Sequence, residues 1–441
     1  MSYCAYITTI NNISKHSNAD RLQIVEVFGL HVIVDNSYYK GQRVVYFPVD
    51  GQLDLGFADE NNLIRKKDEN GNNIGGYMDA NKRNITAIKL RGEKSEGLLL
   101  PIESLSKYTD ITKLKDGDTI TVLGDVEICK KYIPRTNRRT RNGNNNHKNK
   151  KHHVDVAPLF ERHVETEQLA YHLSDFYVGD QIQITLKLHG TSQRTGYLPV
   201  LQGYKRTILD KLLRREGKPI YEYGYVHGTR RTILDNFDNG YYGNDSFRKP
   251  SAEFFEGKLH KGETVYYEVV GYVNETTPIM PSGNNKKVGK DFVKQYGDTT
   301  TFNYSCGKGQ SDFYVYRMTM INEDGDVVEY SPYQIRYRCE QMGCKYVPTF
   351  TETFIPNDVD GIDIENAGEW VKRCAEEYYD GADPIGKNHI REGVVIRIVN
   401  RPKFTAYKHK NFNFKLLAGI ITDNLKDSQI EEMSEDLLSE I

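Results

Sequence analysis

The chain has 441 residues, 38% hydrophobic and 27% charged, with 31 Tyr, 17 Phe and a formal net charge of −2. That length exceeds one ordinary core and predicts two or three domains, while the aromatic content argues against a disordered polymer. The near-neutral balance excludes a global basic field, so any nucleic-acid surface has to be local.

The amino terminus has no apolar run with a cleavage signature, and no later stretch approaches roughly 18 continuous apolar residues. Neither export nor a membrane span is expected. The six cysteines (Cys4, Cys129, Cys306, Cys339, Cys344, Cys374) form no CxxC knuckles, which predicts a reduced, cytoplasmic setting.

From Tyr3 to about Gly124 the sequence gives short alternating runs separated by turns: YCAYITTI, LQIVEV, HVIVDN, QRVVYFPVD, ITAIKLRG and DGDTITVLG. With no long helical period, these predict a small β-barrel over residues 1–129. An OB-type barrel with Lys89 and Arg91 on one strand would suit single-stranded nucleic acid, and a generic barrel with solvated charges fits the same pattern. Residues 130–153 are basic, rich in Asn and nearly devoid of apolar side chains, which predicts a linker whose Lys and Arg either contact phosphates or only solvate a tether.

Over residues 154–425 strands and helices mix without regular βαβ alternation, which points to α+β. QIQITLKL, ETVYYEVV, SDFYVYRM, GVVIRIV and KFTAYKHK read as strands. Ser331, Pro332 and Gly343 punctuate a helix ending at Met342, and a second helix is expected from about Asn366 to Tyr379, with Trp370, Cys374 and Tyr378 on its core face. Residues 426–441 are acidic and predict a terminal helix.

The stretch that carries chemistry is ITLKLHGTSQR, a strand ending at Lys187, then His189-Gly190-Thr191-Ser192. Downstream, in order, stand Arg230-Arg231, Glu268 in VYYEVVGY, Tyr316 in DFYVYR, Glu392 in REGVVIRI, and Lys408 and Lys410 in AYKHKNFNFK. Lys408 and Lys410 are two apart, so on a strand both face one way and can grip one phosphate.

This ordered set resembles the covalent nucleotidyltransferases, a superfamily of DNA ligases, RNA ligases and capping enzymes, and His-Gly-Thr-Ser after the lysine looks most like RNA ligases. The strand-rich start, ending in AIKLRGEKSEGLLLP, resembles RNA ligases with an OB domain ahead of the catalytic one. The resemblance implies an ATP-grasp-like ligase domain of antiparallel sheets with flanking helices, an ATP-dependent RNA ligase used in RNA repair, with ATP, Mg²⁺ or Mn²⁺, and broken RNA ends as its ligands and no obligate protein partner. Lys187 is implied as the nucleophile that carries AMP, a covalent step that divides one hard condensation into easier ones. An amine near its free pKa of about 10.4 is mostly protonated at neutral pH, so the pocket must favour its neutral form.

By the same resemblance Glu268 contacts the ribose, Glu392 the hydrated metal, Tyr316 the adenine, Lys408 and Lys410 the α-phosphate, and Arg231 or Arg230 a phosphate. Phe313 or Tyr314 would replace Tyr316 if the strand register shifts. His189 suits either a catalytic or a packing role, and Thr191 and Ser192 either a ligand contact or a turn cap. Two departures stand out: Leu186 where related RNA ligases often have Glu, and Arg317 where phage relatives often have Asp. A DNA ligase, a GTP-using capping enzyme and a non-catalytic RNA-binding protein are the competing expectations.

Overall fold

The computed structural model describes residues 3–72, 74–133, 156–208, 213, 217–230, 232–234, 237, 245–322, 324–359, 362–363 and 366–424. Most of the basic linker and the acidic terminal helix expected at 426–441 lie outside these residues. Packing divides the described residues into two units: those up to 133 with Asn284–Lys290 and Asn411–Asn424, and those of 156–283 with Asp291–Lys410.

The first unit is made of small antiparallel sheets. Leu98–Pro101, Arg43–Phe47, Ala5–Thr9 and Thr119–Ile120 form one in that order; Asn12–Lys15, Leu22–Val27 and Leu30–Asp35 form another. Alternation along these runs turns Ala5, Ile7, Val45 and Phe47 inward to one core with Phe57 and Leu105. The expected strands are present, but among the described residues they do not close into a barrel.

The second unit holds two five-stranded sheets, and their strands are labelled here in chain order. They are β1 (Glu167–Gln168), β2 (Gln181–Leu186), β3 (Thr191–Lys205), β4 (Lys218–Thr229), β5 (Glu263–Gly271), β6 (Ser311–Ile321), β7 (Val327–Glu329), β8 (Thr349–Phe354), β9 (Gly393–Ile398) and β10 (Thr405–Lys410). The first sheet runs β1-β10-β9-β2-β8 and the second β4-β3-β5-β6-β7. All pairings are antiparallel except β1 with β10. The α+β expectation thus holds as antiparallel sheets with few helices.

Each sheet has one apolar face. In the first, Ile182 and Ile184 of β2 and Val394, Ile396 and Ile398 of β9 pack with α2 (Ala367–Glu376), where Trp370 and Cys374 join the core, as does Tyr378 just beyond the helix. In the second, Tyr267, Val269, Phe313 and Val315 pack against Ile335, Cys339 and Met342 of α1 (Pro332–Met342). The start of α1 is fixed by a capping box in which Ser331 Oγ accepts from Gln334 N–H and Gln334 Oε1 accepts from Ser331 N–H, and its end by Gly343 at φ 73°. No helix among the described residues is long and apolar enough to cross a membrane.

Candidate active site

Alternation leaves the other face of the first sheet polar. β2 presents Gln183 and Thr185 there, β9 Val395 and Arg397, and β10 Lys408 and Lys410, because Thr185 pairs Val395, which pairs Lys408, and Lys410 pairs Gly393. Lys187 follows β2 on the same side, and its backbone N–H donates to Gly393 O at 3.0 Å. A Cβ on Gly393 would stand 2.1 Å from His409 O, so the close passage of these strands requires glycine.

Four sequence-predicted residues converge here. Glu392, 2% exposed, has Oε2 at 3.1 Å from Lys187 Nζ and Oε1 at 2.9 Å from Lys410 Nζ, with His189 Nδ1 at 3.6 Å. Burial disfavours a charged carboxyl, yet Lys187 and Lys410 hold Glu392 well below the usual carboxylate range. Two lysine side chains on one buried carboxylate form a compact charged cluster.

The second sheet contributes its own polar face. Ser192 pairs Glu268, and Arg194 pairs Tyr266, so these four side chains share it. Gly190 is the contact between the lysine turn and this sheet: a Cβ there would meet Val269 O at 2.4 Å and Glu268 Cγ at 2.9 Å. The turn carrying Lys187 therefore lies directly on the strand carrying Glu268.

The register at Tyr316 shifts. Tyr266 pairs Arg317 and Tyr267 pairs Val315, leaving Tyr316 as the extra residue of a β-bulge, a device that re-aims a side chain. Its phenol lies 2.9 Å from Ser192 Oγ, its ring meets His163 edge-on at 5.2 Å, and burial, reinforced by Glu268, pushes its pKa up. Phe313 turns into the core against α1, and Tyr314 is buried with Lys345 5.3 Å from its ring centre. Arg317, at the departure noted in the sequence, donates through Nε to both oxygens of Glu329 at 3.1 Å.

Thr191 does not share the face of Ser192. Its hydroxyl accepts from Arg248 Nη2 at 2.7 Å on the opposite side of β3. Arg230 Nη2 is 4.0 Å from Glu165, whereas Arg231 lies outside the described residues.

Three contributors were not singled out in the sequence. Tyr304, 2% exposed, accepts the backbone N–H of His189 at 2.6 Å, and burial, followed by Asp383, holds its hydroxyl well above its ordinary pKa. Arg248, fully buried, holds Thr191 and the carbonyl of Ser192 and pairs with Asp245 at 3.7 Å. His163, against Tyr316, is kept neutral by burial and then by Arg230, Arg317 and Arg194. None stands in a stretch with a recognisable spacing; they reach the site through loops and long-range contacts.

Among the described residues no group of three or more His, Cys, Asp or Glu gathers to hold a metal. A divalent cation here would have Glu392 as its carboxylate donor and complete its shell with water and phosphate oxygens, a shell that Mg²⁺ and ions of similar hardness accept.

This architecture is shared with solved RNA ligases. Naegleria gruberi RNA ligase with PPi aligns with a TM-score of 0.56 and 17% identity over 92% of this chain and 96% of that one. A mutant of that ligase with ATP and Mn gives 0.56 and 16% over 93% and 98%, and one with AMP and Mn gives 0.53 and 14% over 93% and 98%. No family model and no curated protein sequence matches the chain.

Proposed function

We propose that the chain is an ATP-dependent RNA ligase that joins a 3'-hydroxyl to a 5'-phosphate through lysyl-AMP and adenylylated RNA, in the repair of broken RNA. The observation that carries this reading is the Glu392 carboxylate held between Lys187 and Lys410, with the lysine turn seated on the Glu268 strand. Such a cluster can receive a triphosphate and offer one amine to its α-phosphorus. The shared fold with RNA ligases solved with ATP, AMP, PPi and Mn supports the same chemistry.

In the first step Lys187 Nζ, having lost its proton, attacks the α-phosphorus of ATP; an N–P bond forms and the bond to pyrophosphate breaks. A phosphate oxygen of the RNA 5' end then takes the AMP, which breaks the N–P bond and returns the amine. Finally the 3'-hydroxyl attacks that 5'-phosphate, loses its proton and expels AMP. Lys410 and Lys408 stabilise the charge gathering on phosphate, Glu268 and Ser192 orient the sugar, Tyr316 the base, and His189 and Gly190 set the turn. Mg²⁺ or Mn²⁺ bound at Glu392 would neutralise phosphate charge. The first unit is assigned to RNA positioning in the manner of an OB-type module.

Incubation with α-labelled ATP and Mg²⁺ is expected to leave a covalently bound label, stable in alkali and released by acid as an N–P bond requires, that Lys187→Ala abolishes. Equal labelling of the alanine variant removes Lys187 from the chemistry, and label from GTP but not ATP assigns a capping-type enzyme instead.

A further inference from the structure

β5 pairs β3 only from Thr191 to Gly196, whereas the β3–β4 ladder continues to Lys205 opposite Lys218. Residues 197–205 and 218–225 thus form a two-stranded arm extending past the sheet. Along β4, alternation puts Tyr221, Tyr223 and Tyr225 on one face, and Tyr197 of β3 is opposite Tyr225. Unbroken alternation from Tyr197 would turn Tyr204 to the other face. A register shift between Leu201 and Gly203 makes Gln202 an extra residue, so Tyr204 lies opposite Pro219, two residues from Tyr221, and joins the tyrosine face.

At the inner end Tyr197 and Tyr225 stack with ring centres 4.6 Å apart, and Tyr223 meets Tyr197 at 5.7 Å. Further out Tyr223, Tyr221 and Tyr204 are 46%, 37% and 41% exposed. Lys261 Nζ stands 5.2 Å from the Tyr223 ring centre. Lys205 and Lys218, exposed and directly opposed, form the next pair after Tyr204 and Pro219 and so face away from the tyrosines. Exposed rings in a row, with the Lys261 cation beside them, match a single nucleic-acid strand, whose bases offer faces to stack and whose phosphates need neutralising; a duplex hides those faces.

We propose that this arm docks the single-stranded RNA beside the break, with Tyr204, Tyr221 and Tyr223 stacking on bases and Lys261 meeting a phosphate. The proposal rests on the ligase reading, and its test separates the two. The full-length protein and a Tyr204→Ala/Tyr221→Ala/Tyr223→Ala variant are compared by labelling with α-labelled ATP and by anisotropy titration of a short fluorescent single-stranded RNA. The expected result is equal labelling, which also reports an intact catalytic unit, with RNA affinity weakened about tenfold or more. The corresponding triple Tyr→Phe variant keeps the rings and is expected to keep the affinity. Lys261→Ala should make binding less salt-dependent. Failure of the native protein to label refutes the ligase reading. Intact labelling with equal RNA affinity in native and triple-alanine proteins overturns the arm alone and leaves the tyrosine face to a protein partner.

Discussion

At Glu392 a buried carboxylate touches two lysines that each keep about a fifth of their side chain in water, 19% for Lys187 and 24% for Lys410. Removing its charge would leave two ammonium groups facing a buried neutral amide. Because its pKa is lowered in the folded protein, the stabilisation is fully present above the ordinary carboxylate range and is lost as pH falls through that lowered value. Glu392→Gln should therefore unfold more easily than the native protein by about 3 kcal/mol at pH 7, the lower end for breaking a buried pair because of the partial exposure of its partners. Urea unfolding in EDTA at a series of pH values checks this: the gap should narrow in acid, and a gap that is constant with pH would show that the carboxylate's charge contributes nothing.

Among the elements, β2, β9 and β10 were legible because alternation, which reads the same in sequence and structure, fixes both the apolar face and the row that carries Lys187 and Lys410. The caps of α1 were legible for a similar reason, since Ser331 and Gly343 act within their own turns. What escaped was non-local. The bulge at Tyr316 depends on the partner strand; β3 and β4 contain Gly, Pro and charged residues that blur any alternation; and Arg248 reaches β3 from a separate helical turn, Ser246–Arg248. Arg248 also decides how firmly β3 begins. It donates to Thr191 and Ser192 while its own carbonyl accepts from Gln193 Nε2 at 3.1 Å. Arg248→Leu leaves buried Asp245 without that partner and should lower the unfolding free energy by about 3 to 5 kcal/mol. In a denaturant titration the midpoint should fall with the slope unchanged, and a midpoint equal to the native one would mean that the guanidinium is dispensable to β3.

For the molecule as a whole, the first unit cannot be removed by one cut, because its sequence is not contiguous. Helix α3 (Phe412–Asn424) begins directly after the strand that ends at Lys410, yet it packs within the first unit. Its Phe412, Phe414 and Leu417 are buried, Lys94 stands 5.1 Å from the Phe412 ring centre, and Lys415 pairs with Glu96. Each of these partners from strand Glu93–Glu96 disappears when residues 1–135 are deleted, so α3 would present its apolar side chains to water. A fragment spanning 136–441 is therefore expected to bind a hydrophobic dye and elute as aggregates, whereas one spanning 136–410, which also lacks α3, should bind less dye and elute closer to a monomer. Identical behaviour of the two fragments in size-exclusion chromatography would show that α3 does not need the amino-terminal strands. The expected difference would mean that the segment immediately following Lys410 is anchored by residues more than 300 positions earlier in the chain.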